Sequence, residues 1–560
     1  MKNKILFKIM TLALATATLF TVTACGGGGN GGGGSSVDDA NTLNVRIRKT
    51  GYGTDYISAL AEEFEKTFAS EGYKINLLSP REDLASANVY RDIYSNSGID
   101  VYFGSDFDAE LAVSGEYGQV FADITDSVYN QKPIKFDGTE EELTIAQKLN
   151  AIKTPDGVYN DRVYGIPFAL AFGGLAVNKA VLDEYDLELP RTTNEMFECA
   201  DVIMSHANDT GVFPFTYSLS GNNYPLSTVA GWMAQYGGIE EFNSFWSFNN
   251  SETGESLGDK CYEVFGTQSL TEMMETLYHF YDYNMAAYGS GQQDFSAAQG
   301  KIMKGEAVFY SVGSWFLNEE YDRFNKFIND VTFINTPVVS SLGTKLFGAG
   351  TAYNYDDEKC ELVLTTILKY ADENKLADEV ETLVEAELSL QLESQDVLIV
   401  CQRRGYVKNS TFAELVVSEK SQKKDLAATF LRFCASTEAG EVFAQTSRVS
   451  SPYAMDSTAH NDIPFIASVN KIKSNPYFEQ LHCVVNGYRK ELGLITTFPY
   501  MGDIFASKVY DTSVSKYDDD SLAMIKDNSV YEIKAQELVS AMYQSAKSNI
   551  ENKVWKPLIK

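Results

Sequence analysis

The chain has 560 residues, 44% of them apolar, with 46 Lys and Arg against 77 Asp and Glu, a net charge of −31 at pH 7. That length and apolar fraction support two or more packed domains, and the acidic balance excludes nucleic acid and anionic lipid as partners held by bulk electrostatics. The acids are dispersed rather than clustered, which is the pattern of a solvated surface.

The first element is an address. Lys2, Lys4 and Lys8 precede an apolar run over 9–20 that is too short to span a bilayer comfortably. Val22-Thr23-Ala24-Cys25 follows, and a small residue directly before a cysteine at this place resembles the bacterial lipoprotein signal, whose cysteine is acylated and becomes the new N-terminus. Residues 26–36 are almost entirely Gly and Ser, a flexible tether with nothing to bury. Residues 1–24 are therefore read as a removed signal peptide, and 25–41 as a linker behind a lipidated Cys25. The other six cysteines (Cys199, Cys261, Cys360, Cys401, Cys434 and Cys483) lie far apart and form no metal-binding spacing. Cys199 and Cys434 fall on or beside apolar helix faces, so buried free thiols are expected.

Strand and helix then alternate. Leu43, Val45 and Ile47 alternate with polar residues and predict a strand, closed by the turn Thr50-Gly51-Tyr52-Gly53. From Asp55 onward, Ile57, Leu60, Ala61, Phe64 and Phe68 recur at helical spacing. Residues 74–78 predict a second strand, 84–94 a helix, and 100–103 a third strand that breaks at Gly104-Ser105. Such alternation predicts an open, mainly parallel sheet covered on both faces. Sheets of that kind bind ligands in the crevice beyond the strands' C-terminal ends, here at 50–53 and 104–106. A second block opens at 164–168 and 174–179, and Thr192-Thr193-Asn194-Glu195 forms a capping box before a helix carrying Phe197, Ala200, Ile203 and Met204. Later, 307–310 predicts a strand ended by Gly313-Ser314-Trp315, 370–400 is charged and helical, and 424–435 is a helix with Leu426, Ala427, Phe430, Leu431 and Cys434 inward.

These landmarks, in this order, resemble the extracellular solute-binding proteins of ATP-binding-cassette importers, in particular the sugar-binding group that is maltose-binding-protein-like. The residues that carry the resemblance are Asp100-Val101-Tyr102-Phe103-Gly104-Ser105, Tyr164-Gly165-Ile166-Pro167 with Leu175-Ala176-Val177-Asn178-Lys179, Gln235-Tyr236-Gly237-Gly238, Lys304-Gly305-Glu306-Ala307-Val308 with Gly313-Ser314-Trp315, and the 423–438 helix followed by Ser451-Pro452-Tyr453. Val177 stands where many members have Tyr, and 355–405 is an addition. The resemblance implies an α/β chain with the two-lobed periplasmic-binding-protein-like fold (class II). Each lobe would be a mainly parallel sheet flanked by helices, the two joined by a hinge that closes on ligand. The expected division is 42–165 with 314–355 as the first lobe, 166–313 with 406–560 as the second, and 356–405 as a helical insertion.

Sugar sites combine aromatic faces with amides, carboxylates and backbone groups that bond hydroxyls. Position selects Tyr52, Asp106, Phe172, Asn222, Asn223, Tyr224, Trp232 and Trp315 as candidate ligand contacts. Trp315 follows a strand where the lobes should meet, while Trp232 sits in an apolar helical run that suits a core slightly better than a site. Paired carboxylates abound, so a secreted carbohydrate-active hydrolase is the alternative. Against it, the chain has no GxSxG, HExxH or GxxxxGK[ST] motif, and its four histidines are isolated. The expectation is a monomeric extracytoplasmic binding component without catalytic residues, cofactor or metal. It would take up a carbohydrate, deliver it to an ABC permease, and touch the membrane only through its lipid anchor, on the extracellular face or in a periplasm.

Overall fold

A computed structural model of the chain describes residues 36, 39–81, 86–105, 107–151, 157–219, 226–250, 252–409, 413–482 and 514–552. In chain order its main elements begin with β1 (Thr42–Arg48), α1 (Asp55–Thr67), β2 (Lys74–Arg81), α2 (Ser86–Tyr94), β3 (Val101–Ser105), β4 (Gly165–Pro167) and β5 (Gly173–Asn178). There follow α3 (Thr193–Thr210), β6 (Phe213–Phe215), α4 (Leu226–Gly237), α5 (Gln268–Phe280), α6 (Phe295–Met303), β7 (Ala307–Gly313), α7 (Phe316–Phe324) and β8 (Val331–Ile334). The remainder comprises α8 (Asp357–Ala371), α9 (Ala377–Leu388), α10 (Ser394–Gly405), β9 (Tyr406–Lys408), β10 (Ala413–Val417), α11 (Lys424–Cys434), α12 (Thr437–Ser447), α13 (Pro464–Lys473), β11 (Glu479–Leu481) and α14 (Ser529–Glu551).

The first lobe is built on a five-stranded sheet in the order β2-β1-β3-β10-β4. β1, β2 and β3 run parallel, as their helical crossovers require, and β10 and β4 close the sheet through antiparallel ladders. Period-two alternation fills both faces. Val101 and Phe103 join Leu43, Val45 and Ile47 in a core with α1, α11 and α12, while Tyr102 points the other way into a cluster with Val89, Tyr90 and Ile93 of α2. The apolar stripe of α1 (Tyr56, Ile57, Leu60, Ala61 and Phe64) is buried as its spacing predicts.

The second lobe carries a four-stranded sheet in the order β8-β5-β7-β6. It is mixed rather than mainly parallel: β5 pairs antiparallel with both β8 and β7, and only β6 with β7 is parallel. β5 enters this lobe from the first, and both neighbours run back toward it. Thr192 and Glu195 form the expected capping box of α3. Cys199, Cys360, Cys401 and Cys434 are buried free thiols; Cys483 lies outside the described residues.

The lobe assignment needs correction in two segments. Residues 314–355 belong to the second lobe, because β8 pairs with β5 and Phe316, Leu342 and Phe347 are in that lobe's core. Residues 413–453 belong to the first, because β10 lies between β3 and β4 and α11 and α12 pack on that sheet. The expected insertion is helical (α8, α9 and α10) and packs into the second lobe's core through Val363, Ile367, Val380 and Val400. It postpones the return to the first lobe until after β9, whereas the expected crossing was at 313–315. Among the described residues no helix is long and apolar enough to cross a membrane.

Candidate functional site

Three segments cross between the lobes. The first joins β4 to β5, the second joins β9 to β10, and the third runs from α12 to α13. They lie side by side, since Leu170 of the first pairs with Ser450 of the third and Phe172 pairs with Asn409 of the second. β7 returns to this junction antiparallel to β5 and ends at Gly313, opposite Gly173. There the first crossing clamps the chain: Ser314 N donates to Phe172 O (2.9 Å), and Phe172 N donates to Ser314 Oγ (3.3 Å).

The clamp splits the next two aromatics between the lobes. Phe316 is fully buried in the second lobe's core, while Trp315, half-buried, packs against the core of the first. The Trp315 indole lies back over Gly313, where any Cβ would come within 1.9 Å of its Cζ3. Its other neighbour is Tyr52 in the turn after β1, edge-on with centroids 6.5 Å apart. That turn is where the crevice of a parallel sheet is expected. Gly51 permits the approach, since a Cβ there would come within 2.5 Å of Glu319 Oε1 and 2.9 Å of Trp315 Cδ1.

One turn of α7 supplies polar groups at the same place. Asn318 Nδ2 donates to Gly51 O (2.6 Å), joining the lobes directly. From the other side Arg448, at the end of α12, donates to Asn318 Oδ1 (3.4 Å) and lays its guanidinium 3.7 Å over the Tyr321 ring. Gln299 Nε2 donates to Glu319 Oε2 (2.6 Å). Burial pushes the Glu319 carboxyl up to about 7 against the lowering effect of its hydrogen bonds to Gln299 and Trp315, with Glu320 adding to the rise. Glu320, 1% exposed, is likewise pushed up to about 7 by burial despite its ion pair with Arg323 (2.9 Å). The junction thus sets an aromatic face beside an amide bonded at both ends and a carboxyl that is partly neutral near pH 7.

Of the eight residues selected from the sequence, the structure brings Tyr52 and Trp315 together. Phe172 and Trp232 are corrected to core positions, both 0% exposed. Phe172 packs edge-on to Phe333 and Phe478, and Trp232 donates Nε1 to Pro337 O (3.1 Å). Asp106, Asn222, Asn223 and Tyr224, and with them Cys25, lie outside the described residues. Sequence reasoning missed Asn318 and Glu319; spacings of three and four from Trp315 would place them on one face had the helix Phe316–Phe324 been recognised. Gln299 and Arg448 carry no local signal. Among the described residues no group of three or more His, Cys, Asp and Glu could hold a metal ion.

A family model of bacterial extracellular solute-binding proteins matches residues 50–344. No curated protein matches the chain. Among solved structures, a protein described as a secreted solute-binding lipoprotein from Streptomyces coelicolor is 14% identical with a TM-score of 0.54, covering 91% of this chain and 100% of that one. RafE from Streptococcus pneumoniae in its apo form is 11% identical with a TM-score of 0.53, covering 91% of this chain and 100% of RafE. RafE has also been solved in complex with raffinose. The bacterial solute receptor AcbH, described as exclusive for β-D-galactopyranose, is 11% identical with a TM-score of 0.52, covering 91% of this chain and 98% of its own.

Proposed function

The chain belongs to the bacterial extracellular solute-binding proteins, and from that premise we propose that it captures a carbohydrate between its lobes and delivers it to an ATP-driven permease. The observation that carries this reading is Trp315. Its half-buried indole stands at the lobe junction over Gly313, with the polar side chains of Asn318 and Glu319 one turn away, bonded to Gly51 O and Gln299. A pyranose presents an apolar C–H face and a rim of hydroxyls, and this combination of aromatic face and polar rim is its complement. Raffinose in RafE and galactopyranose in AcbH are carbohydrates handled by chains of the same fold.

The mature protein is held at the membrane surface by lipid on Cys25, with 26–41 as its leash, and acts there as a monomer on one mono- or oligosaccharide. Asp106, Asn222, Asn223 and Tyr224 complete the ligand contacts around Tyr52 and Trp315 in this proposal. The protein returns its solute unaltered.

The test is a thermal-shift screen against a carbohydrate panel, since a ligand that binds only the folded state raises its stability. Titration of the best sugar into wild type and Trp315→Ala follows. Stacking on an indole contributes on the order of 1 kcal/mol or more, so Trp315→Ala is expected to weaken binding about tenfold or more. Unchanged affinity would remove Trp315 from the site, and chromatographic detection of an altered sugar would move the protein to the hydrolases.

A further inference from the structure

The Trp315 indole is hemmed at both ends. At its benzene ring lies Gly313, where a Cβ would come within 1.9 Å of Cζ3 and 2.2 Å of Cη2. At the pyrrole end, a Cβ on Gly51 would meet Trp315 Cδ1 at 2.9 Å and Glu319 Oε1 at 2.5 Å. The carboxyl oxygen and the carbon beside Nε1 therefore converge on one spot. Tyr52 stands edge-on, with 83° between the ring planes. These contacts are not directional. The Cβ–Cγ torsion of an aromatic side chain is broad, and a hydrogen bond at Nε1 is what ties one edge of the ring to one partner.

That bond is made. Trp315 donates its indole N–H to the Glu319 carboxyl, four residues on in the first turn of α7. Gln299 of α6, 0% exposed, donates Nε2 to Oε2 of the same carboxyl (2.6 Å). In that orientation the amide leaves its own Oε1 without a partner among the described residues, so the bond to Glu319 takes precedence. An acid in the first turn of a helix ordinarily serves the helix dipole from water. Glu319 is turned inward instead, and burial pushes its carboxyl up to about 7 despite both hydrogen bonds. What this costly placement secures is the edge of the indole.

We infer that Glu319, held by Gln299, is a positioning residue, which accepts the indole N–H of Trp315 and fixes the plane of the ring. Its functional consequence rests on the carbohydrate reading of Trp315. With Nε1 engaged, the indole offers a sugar its face and no donor, so Trp315 selects for an apolar C–H face and hydroxyl recognition falls to other groups.

The experiment follows deuterium exchange of each indole N–H in the full chain, isotope-labelled at its tryptophan nitrogens and free of sugar. The chain has 4 Trp, and Trp315→Ala identifies the Trp315 signal. Trp232, which donates Nε1 to Pro337 O (3.1 Å) in the core of the same lobe, is the internal control. Glu319→Gln keeps a carbonyl acceptor, and Glu319→Leu keeps the bulk and removes it. Exchange at Trp315 should speed up about tenfold or more in Glu319→Leu and less than about threefold in Glu319→Gln, with Trp232 unchanged in both. Equal exchange in wild type and Glu319→Leu overturns the positioning role, as does equal acceleration in Glu319→Gln. Acceleration of Trp232 in step with Trp315 would mean that the lobe had loosened, and overturns it as well. Titration with the sugar that the thermal-shift panel selects then reads the consequence. Glu319→Leu should bind about tenfold more weakly and Glu319→Gln within about threefold of wild type. Weakened binding in Trp315→Ala but not in Glu319→Leu overturns the role of Glu319 toward sugar. Undiminished binding in both overturns the carbohydrate reading of Trp315, while the exchange result still decides what holds the ring.

Discussion

Gly313→Ala tests the geometry on which the proposed function rests. Gly313 lies in the extended strand β7, so its backbone suits any residue, and the obstacle to alanine is the Trp315 six-membered ring, whose Cζ3 would lie 1.9 Å from the new Cβ. The ring must lift or the strand end must shift, and overpacking of this kind costs about 1–3 kcal/mol. A second route gives a similar figure. A Trp side chain buries about 150–250 Å², so expelling a half-buried indole forfeits roughly 100 Å², or about 2.5 kcal/mol at 25 cal/mol/Å². Either outcome changes how the indole sits beside Tyr52, so the sugar affinity proposed for it should fall toward that of Trp315→Ala, about tenfold or more. The assay is a thermal melt and a sugar titration on the four members of a double-mutant cycle. In the Trp315→Ala background the obstacle is absent, and Gly313→Ala should then cost under about 0.5 kcal/mol and leave affinity unchanged. Additive losses in the two backgrounds would refute the placement of the indole over Gly313.

Three further outcomes are expected. Glu319→Gln tests the raised carboxyl: the folded chain holds this proton more tightly than the unfolded chain, so its contribution is full below pH 4.5 and lost as pH rises to about 7. The melting temperature of the variant relative to wild type should therefore rise between pH 4.5 and 7, with Glu320 contributing equally to both proteins, and a pH-independent difference would refute it. Cys25→Ala should release the protein from membranes or leave it unprocessed, measured by fractionation and N-terminal mass; retention with a normally cleaved N-terminus refutes the anchor. Ligand should shift the tryptophan emission of wild type more than that of Trp315→Ala, because Trp232 and Trp246 are buried and the fourth tryptophan, Trp555, lies outside the described residues as a background emitter; an equal shift in both proteins would refute it.

The elements were legible where their cause is local. The alternation of Leu43, Val45 and Ile47, the stripe on α1 and the capping box at Thr192 each follow from neighbours within a few residues, and each appears as expected. Lobe membership was not legible, because it depends on which strand a segment pairs with. Val331–Ile334 and Ala413–Val417 are both short apolar strands, and nothing within them says that the first joins β5 and the second β3. The helices α8, α9 and α10, inserted between these strands, displaced the expected crossing. Phe172 and Trp232 were misread for a related reason: an aromatic in an apolar run suits a cleft or a core. What decides for Trp232 is the carbonyl of Pro337, 105 residues away, accepting from its Nε1.

One turn of α7 explains why ligand and closure should be inseparable in this protein. The helix is rooted in the second lobe by Phe316 and Leu317, yet Trp315, Asn318 and Glu319 all act on the first. In the proposed function, a sugar seated on the indole would lie against the same turn that bonds Gly51 O and Arg448. Lobe opening would break the Asn318–Gly51 bond. A ligand that prefers the closed form draws on the same equilibrium, because it shifts populations only through its differential affinity for the two states. Glycine at 51 and 313 is the condition for these contacts: a Cβ at 51 would collide with Glu319 and Trp315, and one at 313 with the indole.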